Sequence, residues 1–271
     1  MDALHRKSDV LEQYLKNLGS AVVAFSGGVD SAFLMAAAHR ALGARAIAVT
    51  ARSCAFPKRE LEEARTLAKR EGIRHLEFDF PAFEVAGFAE NPPERCYHCK
   101  TAILKKMREI ASTEGIEHII EGSNVDDSKD YRPGAKAIRE QGIISPLKEA
   151  GLTKAEIRQL SREWGLPTWD KQSAACLASR FAYGELITEE KLSMVEQAEE
   201  YLRELGFGQL RVRMHGTLAR IELTDSDFIK AAEPEFRKNL SQVFRKLGFS
   251  YVTLDLQGYR MGSMNEVLDR E

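Results

Sequence analysis

The apolar positions along this chain switch period repeatedly. Leu4, Leu11, Leu15 and Leu18 fall on one face of a helix that stops at Gly19. AVVAF at 21–25 is a continuous apolar run, the pattern of a strand buried on both faces. SGGVDS interrupts it, and AFLMAAAHRAL at 32–42 predicts a helix ended by Gly43. AIAVT at 46–50 is a second buried strand, and PKRELEEARTLAKREG a helix opened by Pro57 and closed by Gly72. HLEFDF at 75–80 and HIIEG at 118–122 predict further strands, with a helix from Lys100 to Ser112 between them. TKAE at 153–156 reads as a capping box that opens a helix reaching Trp164. Strands alternating with helices of this length predict an α/β domain built on a parallel, doubly wound sheet.

The pattern changes after residue 185. An amphipathic helix begins at Thr188, carries Leu192, Val195, Tyr201, Leu202 and Leu205, and ends at Gly206. QLRVRMH and ARIEL then alternate with period two, a helical stretch covers 226–247, and YVTLDLQ follows as a strand. That order predicts a small α+β domain, so the expected division is 1–184 and 185–271.

Composition adds mainly exclusions. Of the 271 residues, 44% are apolar and 30% charged, enough apolar mass for a core. The net charge of −2 gives no global argument for a nucleic-acid or membrane-surface partner. No apolar run approaches the roughly 18 residues of a membrane span, and the polar N-terminus lacks a signal-peptide core. A cytoplasmic protein with no membrane partner is expected.

Ser26-Gly27-Gly28-Val29-Asp30-Ser31 lies where a buried strand passes into a helix. Glycines let the backbone approach an anion and adopt positive φ, and the amides with the helix N-terminus behind them make a socket for phosphate. The hydroxyls of Ser26 and Ser31 add donors, and Asp30 can orient the loop or share a magnesium ion. Thr50 and Gly122 end later strands on the edge where a doubly wound sheet places its nucleotide. Each is a candidate for adenosine contact or a simple strand-end turn.

The four cysteines are Cys54, Cys96, Cys99 and Cys176. Arg95-Cys96-Tyr97-His98-Cys99-Lys100 puts two thiols within reach of one soft metal centre at the start of a helix, and Cys176 is the obvious third. Three thiolates suit a four-iron, four-sulfur cluster with one open iron. Structural zinc wants four ligands, of which His98 or Cys54 can supply one, and a redox pair is a third reading. Cys54 is otherwise expected to be a small buried residue. In QLRVRMH, Leu210, Val212 and Met214 point one way and Arg211, Arg213 and His215 the other. One face is core, and the other gathers cations suited to bidentate phosphate binding, or forms a solvated face with cross-strand ion pairs.

SGGVDS resembles the signature loop of the N-type ATP pyrophosphatases, the PP-loop enzymes, over the first 170 residues or so. That resemblance implies ATP, Mg2+ and transfer of AMP to a substrate oxygen. The whole chain is similar to the LarE family, ATP-dependent sulfur transferases of nickel-pincer cofactor synthesis. The carrying segments are VAFSGGVDS, Asp130-Tyr131-Arg132-Pro133-Gly134, the stretch 176–184, RVRMH with ARIEL, and YVTLDLQGYRMGSMN. The family implies adenylation of a pyridinium dicarboxylate mononucleotide and replacement of oxygen by sulfur, on one carboxylate and then the other.

By the same resemblance Ser26, Gly27, Gly28, Asp30, Ser31, Thr50, Gly122 and Arg132 would hold ATP, with Ser26 and Asp30 also catalytic. Arg211 and Arg213 would hold the substrate's phosphate, and Ser179 and Arg180 would line the site beside Cys176. Glu199 and Glu222 match positions that bind a divalent metal. The C-x-x-C resembles the branch that passes on a sulfide from a cluster held by Cys96, Cys99 and Cys176. A second branch sacrifices the sulfur of one cysteine, here Cys176, and that route stays open. The expected partners are the nucleotide substrate, a sulfide or sulfur-donor protein, and further copies of the chain through the second domain. Rival readings are a tRNA thiolation enzyme of the PP-loop class, against which the absence of a basic excess counts, and a zinc-stabilised nucleotide-binding module.

Overall fold

The computed structural model describes residues 2–129, 133–260 and 262–265. The chain forms two compact units. The first runs to Val85 and resumes from Glu94 to Ala174, and the second takes Ala86–Pro93 and the chain from Ala175 onward. The expected division at 184/185 lies beyond the break at 174/175, and no local pattern marks 86–93 as part of the later unit.

In the first unit, helix α1 (Ala3–Leu18) precedes strand β1 (Ala21–Ala24), α2 (Val29–Leu42), β2 (Ala46–Arg52), α3 (Lys58–Arg70) and β3 (His75–Asp79). Then come α4 (Arg95–Thr113), β4 (Ile119–Ile120), α5 (Pro133–Glu140), the short α6 (Pro146–Glu149) and α7 (Lys154–Glu163). The strands are all parallel in the order β3-β2-β1-β4, with Val22 opposite Ile47 on one side and Ile119 on the other. The order reverses between β1 and β4, which is where a doubly wound sheet leaves a crevice at its carboxyl edge.

The core is centred on α2, whose Phe33, Leu34, Met35 and alanines 36–38 are all buried. Small alanines let neighbouring helices approach closely. Leu4, Leu11 and Leu15 of α1 and Ile157 and Leu160 of α7 complete the cluster. Each large apolar side chain contributes about 1.5–3 kcal/mol when fully buried. The predicted capping box is present: Thr153 accepts from the Glu156 amide while the Glu156 carboxylate accepts from that of Thr153.

In the second unit, α8 (Glu189–Glu204) begins at Thr188, whose hydroxyl accepts from the Lys191 amide. Strands β5 (Leu210–His215) and β6 (Leu218–Leu223) are antiparallel, and β7 (Tyr251–Leu254) pairs with β6 in parallel. The single helix expected over 226–247 is two, α9 (Asp225–Ala232) and α10 (Pro234–Lys246). Pro234 forces Glu233 out of the helical region, and Glu233 sits at ψ 137°. No helix among the described residues is long and apolar enough to cross a membrane.

Candidate active site

The phosphate loop leaves the carboxyl end of β1 beside the point of strand reversal. Gly27 has φ +74°, and a Cβ there would lie 3.2 Å from both the Glu60 carbonyl and Ala64 Cβ of α3. Gly28 caps α2 at φ −78°, so only the first glycine needs the left-handed region. Among the described residues no acceptor takes the amide of Gly27 or Gly28. Ser26 is exposed, and its hydroxyl lies 3.0 Å from that of the buried Ser31. Ser31 in turn donates to the Gly28 carbonyl at 3.2 Å. Unclaimed amides at a helix start, flanked by hydroxyls, are the groups that bind phosphate.

Thr50 does not face this socket as a free hydroxyl. It is buried, donates to the Phe25 carbonyl at 2.6 Å, and meets His75 Nε2 at 2.7 Å. Because the Thr50 proton is spent on Phe25, His75 carries its own on Nε2. Burial lowers the His75 pKa, which favours that neutral ring. Thr50 therefore anchors the last residue before the loop. Gly122 is similarly structural: a Cβ would come within 3.0 Å of the Ser31 amide nitrogen, so only glycine lets the chain after β4 pass against the first turn of α2. Arg132 lies outside the described residues.

Asp30 is held by residues that sequence reasoning did not assign to the site. Lys154, the first residue of α7, approaches its carboxylate to 2.5 Å, and Asn124 donates to it at 3.4 Å. A second lysine, Lys171, donates to the Gly27 carbonyl at 2.9 Å and pairs with Glu60 and Glu63 of α3. The capping box flagged Lys154 only as a helix start, and nothing in the local sequence marks Lys171. Lys154 holds Oδ2 of Asp30, so a magnesium ion carried with a nucleotide's phosphates would meet this carboxylate through Oδ1, where Asn124 makes the long 3.4 Å contact.

Cys96 and Cys99 lie in the first five residues of α4, three apart on one face, Cys96 exposed and Cys99 half-buried. The buried Arg95 donates to Cys96 Sγ at 3.7 Å. Two accessible thiols beside a guanidinium suit a soft metal centre. Cys54, expected inside, is exposed instead, in the turn that follows β2. Among the described residues no three His, Cys, Asp or Glu side chains are grouped to hold a metal ion.

Cys176 belongs to the second unit, where it precedes a single helical turn, 177–180. Its carbonyl accepts from the Ser179 amide at 2.9 Å and hydroxyl at 2.8 Å, and from Arg180 at 3.1 Å. Arg180 is itself 1% exposed and forms a two-pronged pair with Glu199 at 2.8 and 2.9 Å. Glu199 also accepts from Arg203 and from the Val212 amide. Although its burial works against the charge, Arg180 and the other arginines hold its pKa down at about 2. Arg213 repeats the motif, pairing with Glu222 at 3.0 and 2.9 Å and donating to the Ser179 carbonyl and to Ser263.

The expected solvated or outward basic face is covered at Arg211 and Arg213, which are 6% and 7% exposed, while His215 at its end stays exposed. The divalent-metal expectation for Glu199 and Glu222 does not fit these surroundings. Both are fully buried and serve as counter-ions to arginine, which would compete with a metal for the same oxygens. Arg211 stacks over Tyr259, 5.2 Å from the ring centre. It also donates to the Leu210 carbonyl at 2.7 Å, and its pKa is lowered, by burial first and then by the neighbouring Arg180.

Comparison with known proteins follows the same outline. The NAD synthase family model matches residues 3–101. An uncharacterised protein of Synechocystis is 43% identical over 98% of this chain and all of its own length. The pyridinium-3,5-bisthiocarboxylic acid mononucleotide synthase of Lactiplantibacillus plantarum is 36% identical over all of this chain and 98% of its own. An uncharacterised protein of Methanocaldococcus jannaschii is 29% identical over 88% of this chain and 90% of its own.

Proposed function

We propose a function from one premise: the chain belongs to the family of pyridinium-3,5-bisthiocarboxylic acid mononucleotide synthases, the LarE family. It is an ATP-dependent sulfur transferase of the PP-loop class. Its substrate is a pyridinium dicarboxylate mononucleotide, whose carboxylates it adenylates and converts to thiocarboxylates. The observation that carries this reading in atomic terms is the loop at 26–31, whose unclaimed Gly27 and Gly28 amides, with the Ser26 hydroxyl exposed beside them, are suited to the phosphates of ATP. Adenylation matters because a carboxylate oxygen is a poor leaving group, whereas AMP leaves readily. The loop would grip the pyrophosphate while Asp30 shares Mg2+ with the phosphates, so charge developing on the leaving pyrophosphate meets donors already in place.

The second unit carries groups suited to a phosphate. Arg211 would take the mononucleotide phosphate, with Arg213 oriented by Glu222 and Ser263 beside it. Arg180 and Ser179 fix the backbone on either side of Cys176. For the sulfur source we favour a 4Fe-4S cluster held by Cys96, Cys99 and Cys176, which would supply sulfide to the activated carboxylate. A sulfide or sulfur-donor protein would replenish it. Three thiolates would leave one iron of such a cluster open, whereas structural zinc wants four ligands, which supports that choice over zinc.

The test is pyrophosphate release from ATP and Mg2+ with the dicarboxylate mononucleotide, followed by mass analysis of the product. Release that depends on this substrate, with a gain of about 16 Da per exchanged oxygen (the sulfur–oxygen difference after thiol-type transfer), is expected. Release without sulfur gain, even with sulfide supplied anaerobically, overturns the sulfur-transferase reading.

A further inference from the structure

The lysines that reach the phosphate loop differ in how their donors are used. Among the described residues the Lys154 ammonium meets the Asp30 carboxylate alone. Lys171 is 14% exposed and meets three acceptors: the Gly27 carbonyl at 2.9 Å, Glu60 at 2.8 Å and Glu63 at 2.7 Å. An ammonium has three donors, so none remains for a phosphate. Its position is fixed from outside as well. Arg158 of α7 donates at 2.8 Å to the Trp169 and Lys171 carbonyls, which pins the segment that carries it.

In a trans peptide the carbonyl of one residue and the amide of the next point in opposite directions. Holding the Gly27 carbonyl against α3 therefore turns the Gly28 amide away from α3. Gly27 is the residue least able to hold that orientation alone, because glycine at φ +74° has little steric barrier to rotation of its peptide. On this basis, and resting on the ATP-binding reading above, we infer that Lys171 is a positioning residue of the phosphate loop, locking the Gly27–Gly28 peptide so that the Gly28 amide meets the anion. Glu60 and Glu63 hold the lysine, and the lysine neutralises two carboxylates that would otherwise repel phosphate.

Orientation and neutralisation separate experimentally. Lys171→Met should weaken binding of ATP with Mg2+, read by calorimetry, by about tenfold or more, as for one lost charge-assisted hydrogen bond. In pyrophosphate release the loss should appear both as a higher KM for ATP and as a lower kcat, while KM for the mononucleotide stays put. Lys171→Arg should recover part of both. The triple variant Lys171→Met, Glu60→Gln, Glu63→Gln strands no carboxylate, so it remains informative where the single variant misfolds. It should still bind ATP about tenfold more weakly than the parent, since the Gly27 carbonyl has lost its donor. Parental ATP affinity in the triple variant, or parental kcat and KM in Lys171→Met, overturns the inference. If the unaltered protein binds ATP yet releases no pyrophosphate with the mononucleotide, the functional reading fails, while the calorimetric comparison still decides the role of Lys171.

Discussion

At the scale of single residues, charge pairing decides which substitutions report on chemistry and which report on folding. Asp30 is about one-quarter exposed and outside the apolar core. Asp30→Ala or Ser26→Ala should therefore cut pyrophosphate release by about 10²–10³-fold, the range for lost electrostatic stabilisation, without changing the melting temperature much. Unaltered release in both variants would remove the phosphate-loop assignment. Glu199 behaves oppositely. Glu199→Gln leaves Arg180 buried with a neutral partner, and should cost about 3–5 kcal/mol, seen in denaturant unfolding. The pH dependence follows from its depressed pKa. The contribution of Glu199 is complete above its unfolded value of 4.5 and is lost as pH falls toward about 2. The parent should then lose more stability between pH 5 and pH 2 than the variant, and equal losses would remove this pairing as a source of stability. Arg211 and Arg213 also part company. Arg213→Ala removes the two-pronged partner of the buried Glu222, leaving it Arg220 and Ser263, and should destabilise the fold. Arg211→Ala should mainly weaken the mononucleotide, by about ten- to a hundredfold, with ATP affinity unchanged. Unchanged mononucleotide affinity in folded Arg211→Ala, measured by calorimetry, would take the phosphate contact away from this residue.

Among the elements, the loop works because three chain segments approach without side chains between them. Gly27→Ala forces a side chain onto φ +74° with Ala64 and the Glu60 carbonyl 3.2 Å away. Gly122→Ala presses on the first-turn backbone of α2 at 3.0 Å. Each should cost about 1–3 kcal/mol of stability and weaken ATP by about tenfold or more. A Gly122→Ala variant with normal ATP affinity and stability would show that this close approach relaxes freely. The sequence pattern made the strand–loop–helix unit legible, because AVVAF, SGGVDS and the alanine-rich helix are local signals. It also located TKAE as a helix start. It did not show that Lys154 reaches Asp30, or that Lys171 reaches Gly27, because those contacts span 124 and 144 positions along the chain. Period-two alternation placed Arg211 and Arg213 on one face correctly. It failed on their exposure, since the groups that meet them, Ser179, Tyr259 and Ser263, come from other segments. Alternation reports which side a residue faces and says nothing of what lies above it.

For the molecule as a whole, the three cysteines that bear on the transferred sulfur are divided between the units, Cys96 and Cys99 in the first and Cys176 in the second. If these thiolates hold one cluster, each is indispensable, because a cluster left with two protein thiolates is poorly retained. Replacing any of the three by alanine should then remove the brown colour, the iron and the labile sulfide of anaerobically purified protein, together with thiocarboxylate formation. Adenylation should persist, since Ser26, Asp30 and Lys154 are untouched, and pyrophosphate release gives that control. Cys54→Ala should alter neither colour nor sulfur transfer. The sacrificial route gives a different pattern. Cys176→Ala alone would be inactive, Cys96→Ala and Cys99→Ala would retain activity, and intact protein would lose about 34 Da at Cys176 in one turnover as its sulfur departs. Colourless, active protein showing that mass loss would end the cluster proposal while leaving the family assignment and the phosphate loop intact.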